Sequence, residues 1–276
     1  MNSQLRVRKG ANQSHFTISG NQIFSGGHAE ARGKRTTMED RCAIIGEFAG
    51  VDTQFYGIFD GHGGSDCSSY VADNLYKIIA EKLIANEMND VLDIIQESID
   101  EVNSYAIQKW MNQGTTVAIA IIIKDKLYTA NVGDSRILLV NLNDKVVKRL
   151  SVDHKVSDPI EQERIKANLG LIQNDRVGGI LALSRSIGDG CLSSFISCEA
   201  YMTETEYTHD QGLILACDGV WDVMDDQDAA QIFRSAGNAA NASKLIKQSA
   251  LDNRTTDNVV VVCVNLMPKA LIEASQ

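Results

Sequence analysis

Apolar and polar positions follow two different periods along the chain, and the switches between them lay out the elements. Seven short stretches read as strands: Cys42–Phe48, Gln54–Asp60, Thr116–Ile123, Leu127–Val132, Ile137–Val140, Leu213–Cys217 and Val259–Asn265. They are rich in Ile, Val, Tyr and Phe and are bounded by Gly, Asp and Asn. Between them the period lengthens. Val71, Leu75, Ile78 and Leu83 fall at helical spacing after Gly64, and Ile95, Ile99, Val102 and Ala106 repeat the pattern. Each of these two helices carries one apolar stripe and a polar back, so each covers one face of a sheet. Shorter helices are predicted at Pro159–Lys166, where Pro suits the first turn, at Gln227–Arg234 and at Ala242–Leu251. The tight step Lys124-Asp125-Lys126 joins an antiparallel pair. The fold class is therefore α+β: packed antiparallel sheets with helices outside, not a doubly wound parallel sheet. Residues 1–25 are polar and irregular and read as an N-terminal arm that adds a first strand; 26–268 form one domain and 269–276 a C-terminal tail.

Composition narrows the class. The 276 residues are 44% hydrophobic and 22% charged, which is ordinary for a folded chain. There are 36 Asp and Glu against 26 Lys and Arg, a formal net charge of −10. That surplus of acids argues against nucleic acid or an anionic membrane as partner, since both need basic patches. The longest apolar runs, Val117 to Ile123 and Val259 to Val264, fall far short of the ~18–20 residues of a membrane span. The basic start, MNSQLRVRKG, leads into no apolar segment, and Asn2 excludes myristoylation. The six cysteines are dispersed with no C-x-x-C, as expected of reduced thiols in a cytoplasmic or nuclear protein.

The charge also has a pattern. Three apolar strands run into Asp beside Gly: Phe59-Asp60-Gly61, Val132-Gly133-Asp134 and Cys217-Asp218-Gly219. Two acidic sites stand just before strands, Glu39-Asp40 and Asp257-Asn258. In an antiparallel sheet the end of one strand lies beside the start of its neighbour, so these five sites can meet at one rim. Carboxylates gathered there would repel and raise each other's pKa, whereas hard divalent cations such as Mg²⁺ or Mn²⁺ would stabilise them. Taken singly, Asp before Gly is a common turn signal. His62, between Asp60-Gly61 and Gly63-Gly64, is either a packing residue of a glycine-rich turn or, beside a metal, a general acid. Arg35 is a solvated charge or, next to such a site, a planar fork for phosphate.

Several chemistries are excluded by spacing. A cysteine nucleophile for phosphate esters needs C-x₅-R, and the sixth residue after each Cys is Phe48, Asp73, Ser197, Glu204, Val223 or Lys269. No G-N-H-E occurs. The nearest match to a P-loop, Gly27 to Gly33-Lys34-Arg35, has one residue too many and Arg in place of Ser or Thr. The five histidines are isolated and form no zinc spacing.

The whole set of motifs resembles the PP2C (PPM) family of metal-dependent protein Ser/Thr phosphatases. The matching segments run in order: Arg35-Thr-Thr-Met-Glu39-Asp40, Phe59-Asp60-Gly61-His62-Gly63-Gly64, Gly114-Thr-Thr, Ala130 to Arg136, Asp153-His154-Lys155, Arg176-Val-Gly-Gly, Leu181 to Asp189, Ala216 to Asp222, and Asp257-Asn258. They run from Arg35 to Asn258, within residues 32 to 264.

The resemblance implies a four-layer α/β/β/α sandwich with two central, mainly antiparallel sheets flanked by helices. It implies a phosphatase domain over 26–268 that hydrolyses phosphoserine and phosphothreonine in proteins. Two Mg²⁺ or Mn²⁺ ions would activate a water there, with a weaker third ion in some members. Carried over residue by residue, Asp60 bridges two ions, with the Gly61 carbonyl and Glu39 on one side and Asp218 and Asp257 on the other. Asp40 holds metal waters, and Asp134 with Asp218 forms the weaker site. Arg35 holds the substrate phosphate and His62 protonates the leaving group. The implied partners are phosphorylated proteins, and the chain is expected to be a monomer. The rival is a phosphatase-like scaffold that has lost its metals, which the presence of Arg35, Asp60, Asp218 and Asp257 disfavours. The sequence departs from the family in two places. Asn258 is followed by Val259-Val260 where a small or hydroxyl residue is usual, and residues 190–210 are divergent. The variable flap is expected at about Lys166 to Arg176. Trp110, Trp221, Arg136, Arg185, Asp222 and Cys217 are expected to serve packing or ion pairing. His154-Lys155 has either a structural or a functional reading.

Overall fold

The computed structural model describes residues 16–85 and 90–268. The first fifteen residues of the expected arm and the tail 269–276 lie outside the described residues. Two sheets form the centre. In the first, the strands run in the order Phe16–Ser19, Arg41–Gly46, Thr53–Phe59, Val117–Ile123, Lys126–Val132 and Tyr201–Glu206. All its pairs are antiparallel except the first, where Phe16 lies beside Cys42 in a parallel register. In the second, the order is Val147–Arg149, Arg136–Asn141, Gln211–Ala216, Val259–Pro268 and Phe24–Ala31, antiparallel throughout.

Successive strand residues point to opposite faces, and here both faces are covered. Ala43 and Ile45 pack under the helices Asp66–Ala85 and Val91–Lys109 together with Leu75, Ile79, Ile95 and Ile99. Cys42 and Ile44 point the other way, into a layer between the sheets with Tyr56, Ile58, Leu213, Leu215, Val260 and Val262. Val259, Val261 and Cys263 emerge on the far side, against the helices Asp226–Ser235 and Ala239–Asp252. The result is the expected α/β/β/α sandwich. Double coverage explains why Val117–Ile123 and Val259–Val264 are apolar without interruption.

A fourth, small core lies beside the sandwich. Val156, Ile165, Val177, Leu181, Leu183, Leu192 and Ile196 close on one another. Ile165 comes from the helix Pro159–Ala167, Val177 from the hairpin Ile172–Gln173 and Arg176–Val177, Leu192 from the short 3₁₀ turn Gly190–Leu192, and the other four from the connecting loops. The divergent stretch after Asp189 thus has a structural role, since Leu192 and Ile196 floor this module.

Three strands of the two central sheets escape the periodicity reading, among them the three-residue edge Val147–Arg149. Phe24–Ala31 has the sequence FSGGHAEA, and Tyr201–Glu206 is the polar edge YMTETE. Gly27 is required where it stands: a Cβ there would collide with the backbone of Ala240 in the helix lying across the strand. The predicted strand Cys42–Phe48 ends at Gly46 because Glu47 adopts a left-handed conformation, φ 49°.

Candidate active site

The register places the acids. Arg41 pairs with Phe59, so Asp40 and Asp60 lie at the same end of the first sheet. Val132 pairs with Val117, which brings Asp134 to that end as well. In the second sheet Ala216 pairs with Val261 and with Arg136, which puts Asp218 and Asp257 at the corresponding edge. Both sheets therefore present carboxylates to one cleft of about 200 Å³. Its walls are Arg35, Asp60, Gly61, His62, Thr116, Asp134, Arg176, Leu181, Ala182, Leu183, Asp218 and Asp257. Carboxylate oxygens of Asp60, Asp134 and Asp218 lie within 4.8 Å of one another, and a second such group joins Asp40, Asp60 and Cys217.

Seven of the nine sequence-assigned site residues line this cleft, and two do not. Asp40 sits behind Asp60 and is buried; its Oδ2 has no hydrogen-bond partner among the described residues. Glu39 is turned into the adjoining loop: its carboxylate accepts from Thr37 Oγ1 at 2.8 Å and from the Gly64 N–H at 3.1 Å. Arg35 stands at the mouth, where its guanidinium donates to Asp257 Oδ2 at 2.6 Å.

Burial and mutual repulsion act on the acids in the same direction. Burial, then the charges of Asp218 and Asp257, push Asp40 up to about 8. Asp60 is raised well above the usual carboxylate range, first by burial and then by Asp40 and Asp218. Burial and Asp218 carry Asp134 to about 7, although Lys155, 3.7 Å away, works against the shift. Burial and Asp257 raise Asp218 to about 6. A cluster of this kind holds protons at neutral pH or takes up cations in their place.

The loops at the rim are fixed by side chains to which the sequence reading gave no role. Asn258 donates through Nδ2 to the carbonyls of Arg32 and Thr37 and accepts the Glu39 N–H at 2.8 Å, which ties the Arg35 loop to Asp257. The Val259-Val260 departure leaves Asp257 with a partner of its own, as its Oδ1 accepts the Asn258 N–H at 2.7 Å. Thr115 Oγ1 and the Thr116 N–H both donate to the Asp60 carbonyl, at 3.0 and 2.8 Å. Arg176, Leu181, Ala182 and Leu183 also line the cleft, the last three beyond the expected flap at 166–176. Asp189 closes the Leu181-to-Asp189 motif with no role of its own in the sequence reading, yet its carboxylate meets His62 Nε2 at 2.8 Å. Its signal was present in Ile187-Gly188-Asp189, but its partner lies 127 residues away.

The residues read as packing or pairing do so. Trp221 is buried, and its Nε1 donates to the Ala216 carbonyl at 2.7 Å. Trp110 packs against Tyr70 and Tyr105. Arg136 binds Asp153 and Asp226 and lies over the Trp221 ring, and Arg185 binds Glu161. Cys217 is buried, and burial raises its thiol pKa, so it is no thiolate. His154 is structural, accepting the Gly133 N–H at Nδ1, whereas Lys155 reaches Asp134 and Asp222.

The sequence and fold are shared with known protein phosphatases. The Protein phosphatase 2C family pattern matches residues 24–259. Protein phosphatase 2C homolog 1 of Saccharomyces cerevisiae is 38% identical over 255 residues, which cover 84% of this chain and 89% of that protein. Among solved structures, a C. elegans sex-determining protein superposes with a TM-score of 0.82 at 25% identity, over 91% of this chain and 67% of that one. A serine-threonine phosphatase 2C from Toxoplasma gondii shares the fold, with a TM-score of 0.75 at 22% identity over 87% and 94% of the two chains. The chain belongs to the protein phosphatase 2C family.

Proposed function

We propose that the chain hydrolyses phosphoserine and phosphothreonine in phosphorylated proteins, using two Mg²⁺ or Mn²⁺ ions in the acidic cleft. The observation that carries this reading is the convergence of Asp60, Asp134 and Asp218, with oxygens within 4.8 Å of one another; among the described residues no arginine pairs with any of the three, and Lys155 reaches Asp134 alone at 3.7 Å. The donor set fits hard divalent cations: it is all oxygen apart from the buried Cys217, burial and mutual repulsion raise the pKa of its acids, and Asp40 Oδ2 has no hydrogen-bond partner among the described residues. Asp60, Asp218, Asp257 and the Gly61 carbonyl would hold the two ions. Asp40 and Glu39 would act through water, and Asp134 would serve a weaker third position. Bound ions supply positive charge that offsets the carboxylates, lowers the pKa of water and meets charge on the phosphoryl oxygens.

The chain's own residues do the rest. Arg35 is half-exposed at the cleft mouth, and its planar fork can turn from Asp257 to two oxygens of a substrate phosphate. His62, on the cleft wall, gives a proton to the departing seryl or threonyl oxygen, which leaves poorly as an alkoxide. The wall from Arg176 to Leu183 excludes water and positions the peptide around the phosphate. The net charge of −10 favours phosphoprotein substrates over nucleic acid, and we place the activity in the cytoplasm or nucleus. The test is hydrolysis of a phosphothreonine peptide with Mn²⁺ or Mg²⁺, with and without EDTA. Turnover that EDTA abolishes and metal restores is expected. Full turnover in metal-stripped protein would sink the proposal.

A further inference from the structure

The His62–Asp189 contact is built with unusual care. His62 lies on the two-residue strand Gly61–His62, paired to Gly114–Thr115, which pairs in turn with Ile187–Gly188. This three-stranded patch sets residue 189 beside His62, with Gly114 between them. Gly114 has to be glycine: a Cβ there would lie 2.6 Å from His62 Nε2 and would collide with Asp189 Oδ2. The Asp189 carboxylate meets Nε2 with both oxygens, at 2.9 and 2.8 Å. Ser186 Oγ donates to Oδ2 at 2.5 Å, and the Asp189 N–H donates to the Gln113 carbonyl at 2.8 Å.

Two features mark Asp189 as more than packing. It is 4% exposed, and among the described residues its one ion-pair partner is His62. A buried carboxylate is costly unless it is well paired. It also adopts a left-handed backbone, φ 50°. Of the eight described non-glycine residues with positive φ, it is the one that is buried. Such strain persists where the surroundings impose it, and it gathers at working sites.

Building on the proposed phosphatase activity, we propose that Asp189 is the positioning residue for His62. It takes the Nε2–H, locks the ring's orientation and tautomer, and leaves Nδ1 as the nitrogen that serves the leaving oxygen. Nδ1 has no hydrogen-bond partner among the described residues. In the step, the bond from phosphorus to the seryl oxygen breaks and its electron pair stays on that oxygen, which takes the Nδ1 proton. The oxygen of water bonds to phosphorus and keeps one hydrogen, and its other proton replaces the one lost from Nδ1. The products are the free hydroxyl and hydrogen phosphate. A carboxylate that orients a catalytic imidazole in this way is a general device.

Leaving-group dependence tests the assignment. p-Nitrophenyl phosphate loses a stable phenolate and needs little proton transfer, while a phosphothreonine peptide needs it fully. Asp189→Asn is the first variant, because Asn tolerates a left-handed backbone. On the peptide it should lower kcat about 10–100-fold with KM within twofold of wild type. The loss on the peptide should exceed that on p-nitrophenyl phosphate by at least about tenfold. Adding Asp189→Asn to His62→Gln should cost almost nothing further. Gly114→Ala, which pushes a methyl group into the pair, should show the same bias between substrates. Equal losses on both substrates, a rise in KM, or additive losses in the double variant would each overturn the proposal. Wild-type protein inactive on both substrates with Mn²⁺ would instead overturn the phosphatase reading on which it rests.

Discussion

Two groups of buried or half-buried acids lie on this molecule, and they meet opposite fates. In the cleft, Asp40, Asp60, Asp134 and Asp218 crowd one another, and burial with mutual repulsion raises them all. Away from it, burial also opposes the charge on Glu161, but hydrogen bonds from Arg185 and the charges of Arg185 and Arg164 bring it down to about 2. Asp226 is likewise lowered, as the hydrogen bonds from Arg149 and Arg136 overcome its burial. The difference lies in the partners: arginines neutralise one group within the fold, while in the other the nearby cation is Lys155, 3.7 Å from Asp134, and it does not offset burial and repulsion. A buried acid thus reads as structural or as metal-binding by its counter-charge and not by its burial.

Removing a member of the cleft group should have the largest effect. Asp60→Asn or Asp218→Asn should lower phosphopeptide turnover by about 10³-fold or more while leaving the far-UV circular dichroism unchanged. A variant that retains more than a tenth of the wild-type kcat would break the distinction. Arg35→Ala should lower kcat/KM by about 10–100-fold, since one charged hydrogen-bonding fork to phosphate is lost. Arg35→Lys should restore only part of that, measured on the same peptide.

The paired acids should answer in stability instead. Glu161→Gln leaves Arg185 and Arg164 short of their counter-charge and should cost about 2 kcal/mol by urea denaturation. Turnover of the folded fraction should stay within about threefold, as Glu161 is no part of the cleft lining.

The smallest effect is a contrast in pH dependence. In metal-free protein the cleft acids hold protons more tightly when folded than when unfolded, where Asp titrates near 4. The stability they add is full below that value and is lost as pH rises through the folded values of about 6, 7 and 8 for Asp218, Asp134 and Asp40. Metal-free Tm should therefore fall from pH 5 to pH 8, and added Mg²⁺ should raise it more at pH 8 than at pH 5. Glu161 has the opposite sign: its contribution is present above the unfolded Glu value and is lost only as pH falls toward about 2. A metal-free Tm that is flat or rising over pH 5–8 would count against the comparison.

Much of the cleft was legible in the chain because of how it is made. Asp60, Asp134 and Asp218 end apolar strands, and antiparallel pairing turns that local pattern into convergence. The parts that stayed hidden depend on distant partners or on backbone contact. Phe24–Ala31 carries Gly27 where a helix crosses it and Gly26 against Tyr56, so its hydrophobic period is erased. Tyr201–Glu206 is an edge strand whose polar residues carry no core signal. Asp189 finds His62 through three two-residue strands, each too short to read in a sequence. Arg35 meets Asp257 across 222 positions.

The central claim is that the cleft acids are a cation site whose protons are displaced on binding. Calorimetric titration of metal-free protein with Mn²⁺ at pH 7, in two buffers of different ionisation enthalpy, measures binding and proton release together. The account predicts two ions bound with net release of protons, and loss of both signals in Asp60→Asn. Binding without proton release, or no binding in protein that is folded, would contradict it.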